Sequence, residues 1–244
     1  MNQTCVIIGA TSEVGKQLAE IYADNGYDVV LCARKPEKLT ALKGHLQVKY
    51  KVKATVQFFD ALDFDSHLKI FQPIAKNSDV AIYLVGILGE QKKGEQDRTH
   101  AFNIIDTNYR SGVSILSIFA NVYEARKSGT IIGVSSVAGD RGRQSIYLYG
   151  SAKAGFTAFL DGLRNRLTKS NVPVITVIPG YMATQMTAHL DLPKLLTAMP
   201  EYAANAIFKA YKKKRNRVYI KWIWKYIMLI IRNIPEFIFK KLSL

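Results

Sequence analysis

Seven short apolar runs recur along the chain, and the segments between them carry helical signals. Thr4 to Ile8 (TCVII) is continuous and β-branched, as a strand buried on both faces of a parallel sheet must be. Asp28 to Ala33 (DVVLCA), Ala54 to Phe59, Asp79 to Val85 (DVAIYLV), Gly129 to Ser135 and Val172 to Ile178 (VPVITVI) have the same character. Arg217 to Ile220 adds a last short strand. The first helix is predicted to end at Asn25-Gly26, a good C-cap. Pro36 opens a second, as proline often does at a first helical position, and Asp65 begins a third. Ala101 to Lys127, Tyr147 to Lys169 and Glu201 to Tyr211 complete the helical set. Strand and helix in alternation point to one doubly wound, parallel α/β sheet. There is no internal repeat and no low-complexity linker, so the expected organisation is a single domain over residues 1–220 and a helical tail over 221–244.

Bulk composition narrows this little but adds one asymmetry. With 244 residues, 48% apolar and 22% charged, the chain is globular and long enough for one large core. Cys5 and Cys32 both fall in strands, where they are expected to pack as small apolar residues in a reducing cytosol. The first strand starts within five residues of Met1, so no leader is expected. No run reaches the ~20 uncharged residues of a spanning helix. Of the net charge of +15, residues 212–244 hold +9, from ten Lys/Arg against Glu236 alone. A polyanionic partner near the C-terminus is implied.

The candidate chemistry lies between Thr130 and Lys153. Tyr149 and Lys153 are four residues apart, so on a helix they share a face. Ser136 closes the fifth strand, where strand ends place side chains at a site mouth. A phenol titrates near pH 10, roughly, and a neighbouring ammonium favours its ionised form. A serine hydroxyl would hold a substrate carbonyl against that phenol, as proton transfer requires. The set suits a carbonyl reductase or alcohol dehydrogenase; YxxxK by itself occurs widely without function. A glycine-bearing turn, Gly9 to Gly15, links the first strand to the first helix, where backbone N–H groups and the helix dipole would receive a pyrophosphate. An acidic residue ending strand two would select a free ribose 2′-hydroxyl; Ala33-Arg34-Lys35 has none. Arg34, with Ser12, therefore favours NADP(H), with NAD(H) as the alternative; Arg34 is otherwise a solvated loop charge. No His/Cys/Asp cluster has metal-ligand spacing.

These motifs in this order resemble the short-chain dehydrogenase/reductase family over nearly the whole chain. GATSEVG is similar to its cofactor turn, Asn108 in DTNYRSG to its helix asparagine, Ser136, Tyr149 and Lys153 to its catalytic set. Pro179-Gly180 with Thr184 is similar to its segment over the nicotinamide. The resemblance implies a Rossmann-type fold and a homo-oligomer. It places cofactor contacts at Gly9, Thr11, Ser12, Glu13, Val14, Gly15, Asp60, Ala61, Gly86, Tyr149, Lys153, Pro179, Gly180 and Thr184. It also has Asn108 holding a water that links Lys153 to solvent. Asp60 would meet the adenine ring, or simply cap the turn that follows. Ile8 and Glu13 replace the family's Thr and Gly, and Tyr83-Leu84-Val85-Gly86 its Asn-Asn-Ala-Gly.

Further stretches (FDALDFDSH, SSVAGDRGRQS, MTAHL, IIRNIPEFIFKKL) resemble the decaprenylphosphoryl-2-keto-ribose reductases. That resemblance implies reduction of a 2-keto pentose on a polyprenyl phosphate, made by a flavin-dependent oxidase partner. Arg141 or Arg143 is then expected to grip the phosphodiester, a fork–oxyanion match, or to be a surface turn charge. His189 is a candidate contact to sugar hydroxyls, or structural. On a helical wheel Lys221, Lys225 and Arg232 share a narrow stripe, and Trp222 to Ile231 otherwise form a wide apolar arc. Such an arc either lies on an anionic membrane, giving a cytoplasmic peripheral protein, or packs on the domain or a second copy. The rival readings are a ketone reductase for acyl chains on an acidic carrier, and a dinucleotide sensor or nucleic-acid binder. The tail's missing polar face weighs against nucleic acid.

Overall fold

The computed structural model describes residues 2–188 and 190–242. Its strands are β1 (Thr4–Ile8), β2 (Asp28–Ala33), β3 (Ala54–Phe58), β4 (Val80–Tyr83), β5 (Thr130–Val134), β6 (Val174–Pro179) and β7 (Arg217–Ile220). They form one parallel sheet in the order β3-β2-β1-β4-β5-β6-β7. The order reverses direction between β1 and β4, which pair from Cys5–Val80 to Ile8–Tyr83. A crevice opens beyond the carboxyl ends of the strands at such a switch point.

Alternate β1 side chains feed two cores, as strands covered on both faces require. Cys5 and Ile7 join the layer of α1 (Glu13–Asp24), α2 (Thr40–Tyr50) and α8 (Pro200–Lys212); Val6 and Ile8 join that of α3 (Phe64–Lys76), α6 (Ser111–Arg126) and α7 (Tyr147–Leu167). Both cysteines are buried free thiols.

Two departures from the expected elements bear on the site. The helix predicted from Ala101 to Lys127 is helical throughout but not uniform: α5 (Arg98–Ile105) widens into a π turn at Asp106–Arg110 before α6 begins. A short helix, α4 (Gln91–Gln96), precedes α5; its sequence QKKGEQ has no apolar periodicity to announce it.

The tail forms α9 (Ile223–Asn233) and α10 (Glu236–Phe239). Lys221 adopts a left-handed conformation (φ 58°) that turns the chain out of β7, so it stands outside the helical stripe assigned to it. Its Nζ donates to the carbonyls of Lys194 and Leu195. Trp224 and Met228 are buried against Val137 and Ile178, while Trp222 (70% exposed), Tyr226, Leu229 and Ile230 face outward. One face of α9 thus belongs to the domain and the other has no cover within the described residues. No helix among these residues is long and apolar enough to cross a membrane.

Candidate active site

The first turn is shaped by its glycines. Gly9 takes a φ of +98°, closed to most side chains, which turns the chain from β1 toward α1. Ser12 caps α1: its hydroxyl accepts from Gly15 N at 3.1 Å and donates to Gly9 O at 2.9 Å. The first-turn N–H groups of Glu13 and Val14 have no acceptor within the helix, a set of donors suited to a pyrophosphate. Val14 itself is buried and Thr11 half-buried. The Glu13 carboxylate accepts from Gln185 N at 3.1 Å, joining the turn to the segment after Pro179-Gly180.

At the β4 and β5 ends four groups converge. Asn108 is fully buried in the π turn, where a widened backbone is often functional. Its amide donates to Ile87 O (2.7 Å) and Ile104 O (2.8 Å) and accepts from Ile87 N (3.2 Å). A Cβ placed on Gly86 would lie 2.7 Å from Asn108 Oδ1 and 3.2 Å from Lys153 Nζ. The chain after β4 can therefore pass between those two side chains only as glycine. Lys153 is 4% exposed; its ammonium donates to Val134 O at 3.3 Å and lies 5.6 Å from the centre of the Tyr149 ring. Ser136 starts a 3₁₀ turn, accepting from Ala138 N at 3.1 Å.

That turn presses on α7 because two glycines allow it. A Cβ on Gly139 would come within 2.7 Å of Ala154 N, and one on Gly150 within 2.8 Å of Ala138 O. These residues bring Ser136 to Tyr149, and the spacing of YxxxK gives no hint of them.

Burial sets the electrostatics. It raises the Tyr149 phenol above its ordinary value, with a hydrogen bond to Ser136 acting the other way. It lowers the Lys153 ammonium to about 8. The expected lowering of the phenol by Lys153 is thus reversed: water is excluded from both groups, and both neutral forms gain. A phenol so raised is fully protonated at neutral pH, the state in which it donates a proton.

Ser136, Tyr149 and Lys153 line a cavity of about 680 Å³, with Pro179, Gly180 and Thr184 in its wall. The rest is largely apolar, including Leu88, Ile104, Leu148, Met186 and Leu190. Arg143 lines it too, and its Nε is buried without a hydrogen-bond partner. Arg141 is not in the cavity. Its guanidinium donates to the carbonyls of Ile231 (2.7 Å) and Ile234 (2.6 Å), pairs with Glu236 (2.8 Å) and covers the Phe239 ring at 3.6 Å. Of the two arginines expected at a phosphodiester, only Arg143 lines the cavity; Arg141 caps the carbonyl end of α9. His189 lies outside the described residues.

At the adenosine side, Arg34 is exposed at the end of β2. Asp60 accepts from Leu62 N at 3.0 Å, the turn-capping alternative, and Ala61 follows half-buried. Among the described residues no group of three or more His, Cys, Asp or Glu side chains is arranged for a metal ion.

A glycine turn facing a helix N-terminus, across a crevice from a protonated phenol and a buried ammonium, defines the dinucleotide-dependent oxidoreductases that work on alcohols and ketones. The chain belongs to the short-chain dehydrogenase family, whose pattern matches residues 3–194. It is 32% identical over 240 residues to an uncharacterised oxidoreductase of Mycobacterium tuberculosis, covering 97% of this chain and 96% of the relative. It is 30% identical over 243 residues to one of Streptomyces coelicolor, covering 98% and 96%. In fold it resembles a short-chain dehydrogenase of Sphingobium yanoikuyae solved with NADPH, with a TM-score of 0.82 at 20% identity, covering 96% of this chain and 97% of that one.

Proposed function

We propose that this protein is an NADPH-dependent reductase of a ketone on a polyprenyl-phosphate-linked sugar, a 2-keto pentose by the resemblance of its loops and tail. The observation that carries the reading is Arg143, which lines the same largely apolar cavity as Tyr149 and whose buried Nε has no hydrogen-bond partner. A buried N–H without an acceptor carries a desolvation cost that an anion in the cavity would relieve. An apolar cavity with one anion site and a proton donor fits an anionic amphiphile bearing a carbonyl. When bound, a nicotinamide dinucleotide supplies hydride. The turn from Gly9 to Gly15 and the N-terminus of α1 would hold its pyrophosphate, Arg34 its 2′-phosphate, Asp60 and Ala61 its adenosine half, and Gly86, beside Lys153, would border its reacting half. Ser136 orients the carbonyl, Tyr149 gives the oxygen its proton, and Lys153 with Asn108 resupplies that proton.

The outward face of α9 and α10 supports a peripheral position on an anionic membrane. Trp222, Tyr226, Leu229, Ile230 and Phe237 are exposed beside Lys225, Arg232, Lys240 and Lys241, an apolar face edged with cations. The ketone would arrive there from a flavin-dependent oxidase.

The test is to incubate the full chain with extracted membrane lipid in phosphatidylglycerol vesicles and with NADPH deuterated at the transferable position. Deuterium should appear in a lipid-linked pentose, and faster than from phosphatidylcholine vesicles. Label found solely in acyl groups on an acidic carrier would replace the sugar reading by the ketoacyl one. Equal rates from the two vesicle types would remove the membrane contact.

Cofactor choice has its own check. Arg34→Ala should raise the Kd for NADPH about tenfold while changing NADH less than twofold, as loss of one exposed phosphate contact entails. Matching losses for the two cofactors would reject the phosphate role.

A further inference from the structure

Helix α9 touches the site at both of its ends. At the first, the buried indole of Trp224 lies flat against Gly180: a Cβ there would be 2.0 Å from Nε1 and Cε2. The indole N–H donates to Leu196 O at 3.0 Å, and the ring meets Tyr181 edge-on with centres 5.1 Å apart. Leu196 lies next to Thr197 and Ala198, and Ala198 pairs with the opposite limb: its N–H donates to Tyr181 O, and its carbonyl accepts from Ala183 N, each at 2.9 Å. One side chain therefore fixes both limbs of the loop that carries Gly180, Tyr181 and Thr184 into the cavity wall. At the other end, Arg141 ties the last carbonyls of α9 to the loop that brings Arg143 to the same cavity. A tail serving purely as an anchor needs neither contact.

We infer that α9 braces the wall of the active site from behind, and that Trp224 is the positioning residue for the reacting end of the dinucleotide. The inference rests on the dinucleotide reading above. The argument is one of placement. The carbon that receives hydride belongs to the carbonyl that Tyr149 protonates, so the reacting ring must occupy the cavity that Tyr149 shares with Pro179-Gly180. Gly180 has no side chain with which to brace itself, and the indole behind it takes that part. Removing the indole leaves the turn a void to relax into and loosens the wall. The adenosine end, at the β1–α1 turn and Arg34, shares none of the Trp224 contacts described.

The experiment uses the full chain and two ligands, NADPH and adenosine 2′,5′-bisphosphate, which lacks the nicotinamide ribose and ring. Titrated by calorimetry, Trp224→Ala should weaken NADPH about tenfold and leave the bisphosphate within about twofold. Trp224→Phe keeps a ring against Gly180 and loses the bond to Leu196, so its loss for NADPH should be about threefold or less. Gly180→Ala drives a methyl into the indole from the other side and should reproduce the selective loss, an independent check should Trp224→Ala fail to fold. Equal weakening of both ligands, or no weakening by either Trp224→Ala or Gly180→Ala, overturns the assignment. A wild-type chain that bound the bisphosphate no better than free adenosine would overturn the dinucleotide reading itself.

Discussion

Tyr149→Phe should lower turnover by on the order of 10³-fold, the range of a lost general acid, with the Kd for NADPH unchanged within about twofold. The substitution deletes one oxygen and keeps the ring in place. In the folded protein burial raises the phenol above its ordinary range, so at neutral pH the hydrogen is present on a side chain that lines the cavity with Ser136. Reduction of a ketone begins from that protonated state, whereas oxidation of an alcohol needs the phenolate. Wild-type reduction should accordingly hold level across neutral pH, and the reverse reaction should speed up as pH rises. Single-turnover oxidation of NADPH measures the loss, and residual turnover above a tenth of wild type would remove Tyr149 as the proton donor.

The second large effect is expected at Lys153, in opposite directions for activity and stability. The amine is lowered from 10.5 to about 8 by burial. In an unfolded chain it titrates near its ordinary value, so between these two pH values the unfolded state binds more protons than the folded one. Stability therefore climbs as pH rises through that window, and below pH 8 the fold bears the whole cost, about 3 kcal/mol. Lys153→Met has similar length, no charge to desolvate, and loses one bond to Val134 O of about 1 kcal/mol. The net gain of about 2 kcal/mol at pH 7 corresponds to a Tm higher by roughly 4–8 °C in a chain of this size. Turnover should fall at least as far as in Tyr149→Phe, since in the proposed mechanism Lys153 resupplies the Tyr149 proton. Melting curves of both proteins at pH 7 and pH 10 test this. The gap in Tm should shrink at the higher pH, and an equal gap at the two values would show that the amine is not what the fold tolerates at a cost.

The strands were legible because a sheet covered on both faces needs continuous apolar runs, and TCVII and DVVLCA can satisfy little else. The closeness of Tyr149 and Lys153 was legible for a related reason: they sit on one uninterrupted helix, where spacing in sequence is spacing in space. What escaped reading depends on contacts between distant segments. Arg141 and Arg143 are two residues apart in one charged turn; only the position of α9, ninety residues later, decides that the first caps a helix and the second faces the cavity. Gly139 and Gly150 look like ordinary turn and helix residues until the closeness of the Ser136 turn to α7 is seen. The lowering of the phenol expected from Lys153 failed similarly. The neighbour was identified, but the depth of burial that governs both groups is a property of the whole core. For the tail, the apolar arc was plain in the sequence, and its division into a packed and an outward half was set by Val137 and Ile178.

The π turn at Asp106–Arg110 ties the arithmetic of the chain to its chemistry. Such a turn holds one residue more than the regular helix on either side would need, and each helical residue accounts for about 100° of rotation. A one-residue deletion between Ile104 and Ser111 would let α5 and α6 fuse smoothly, a gain for the helix as a helix. It would also swing the Asn108 amide out of register with Ile87 and Gly86. Over evolutionary time this stretch should therefore tolerate exchanges of residue type far better than any change in its length.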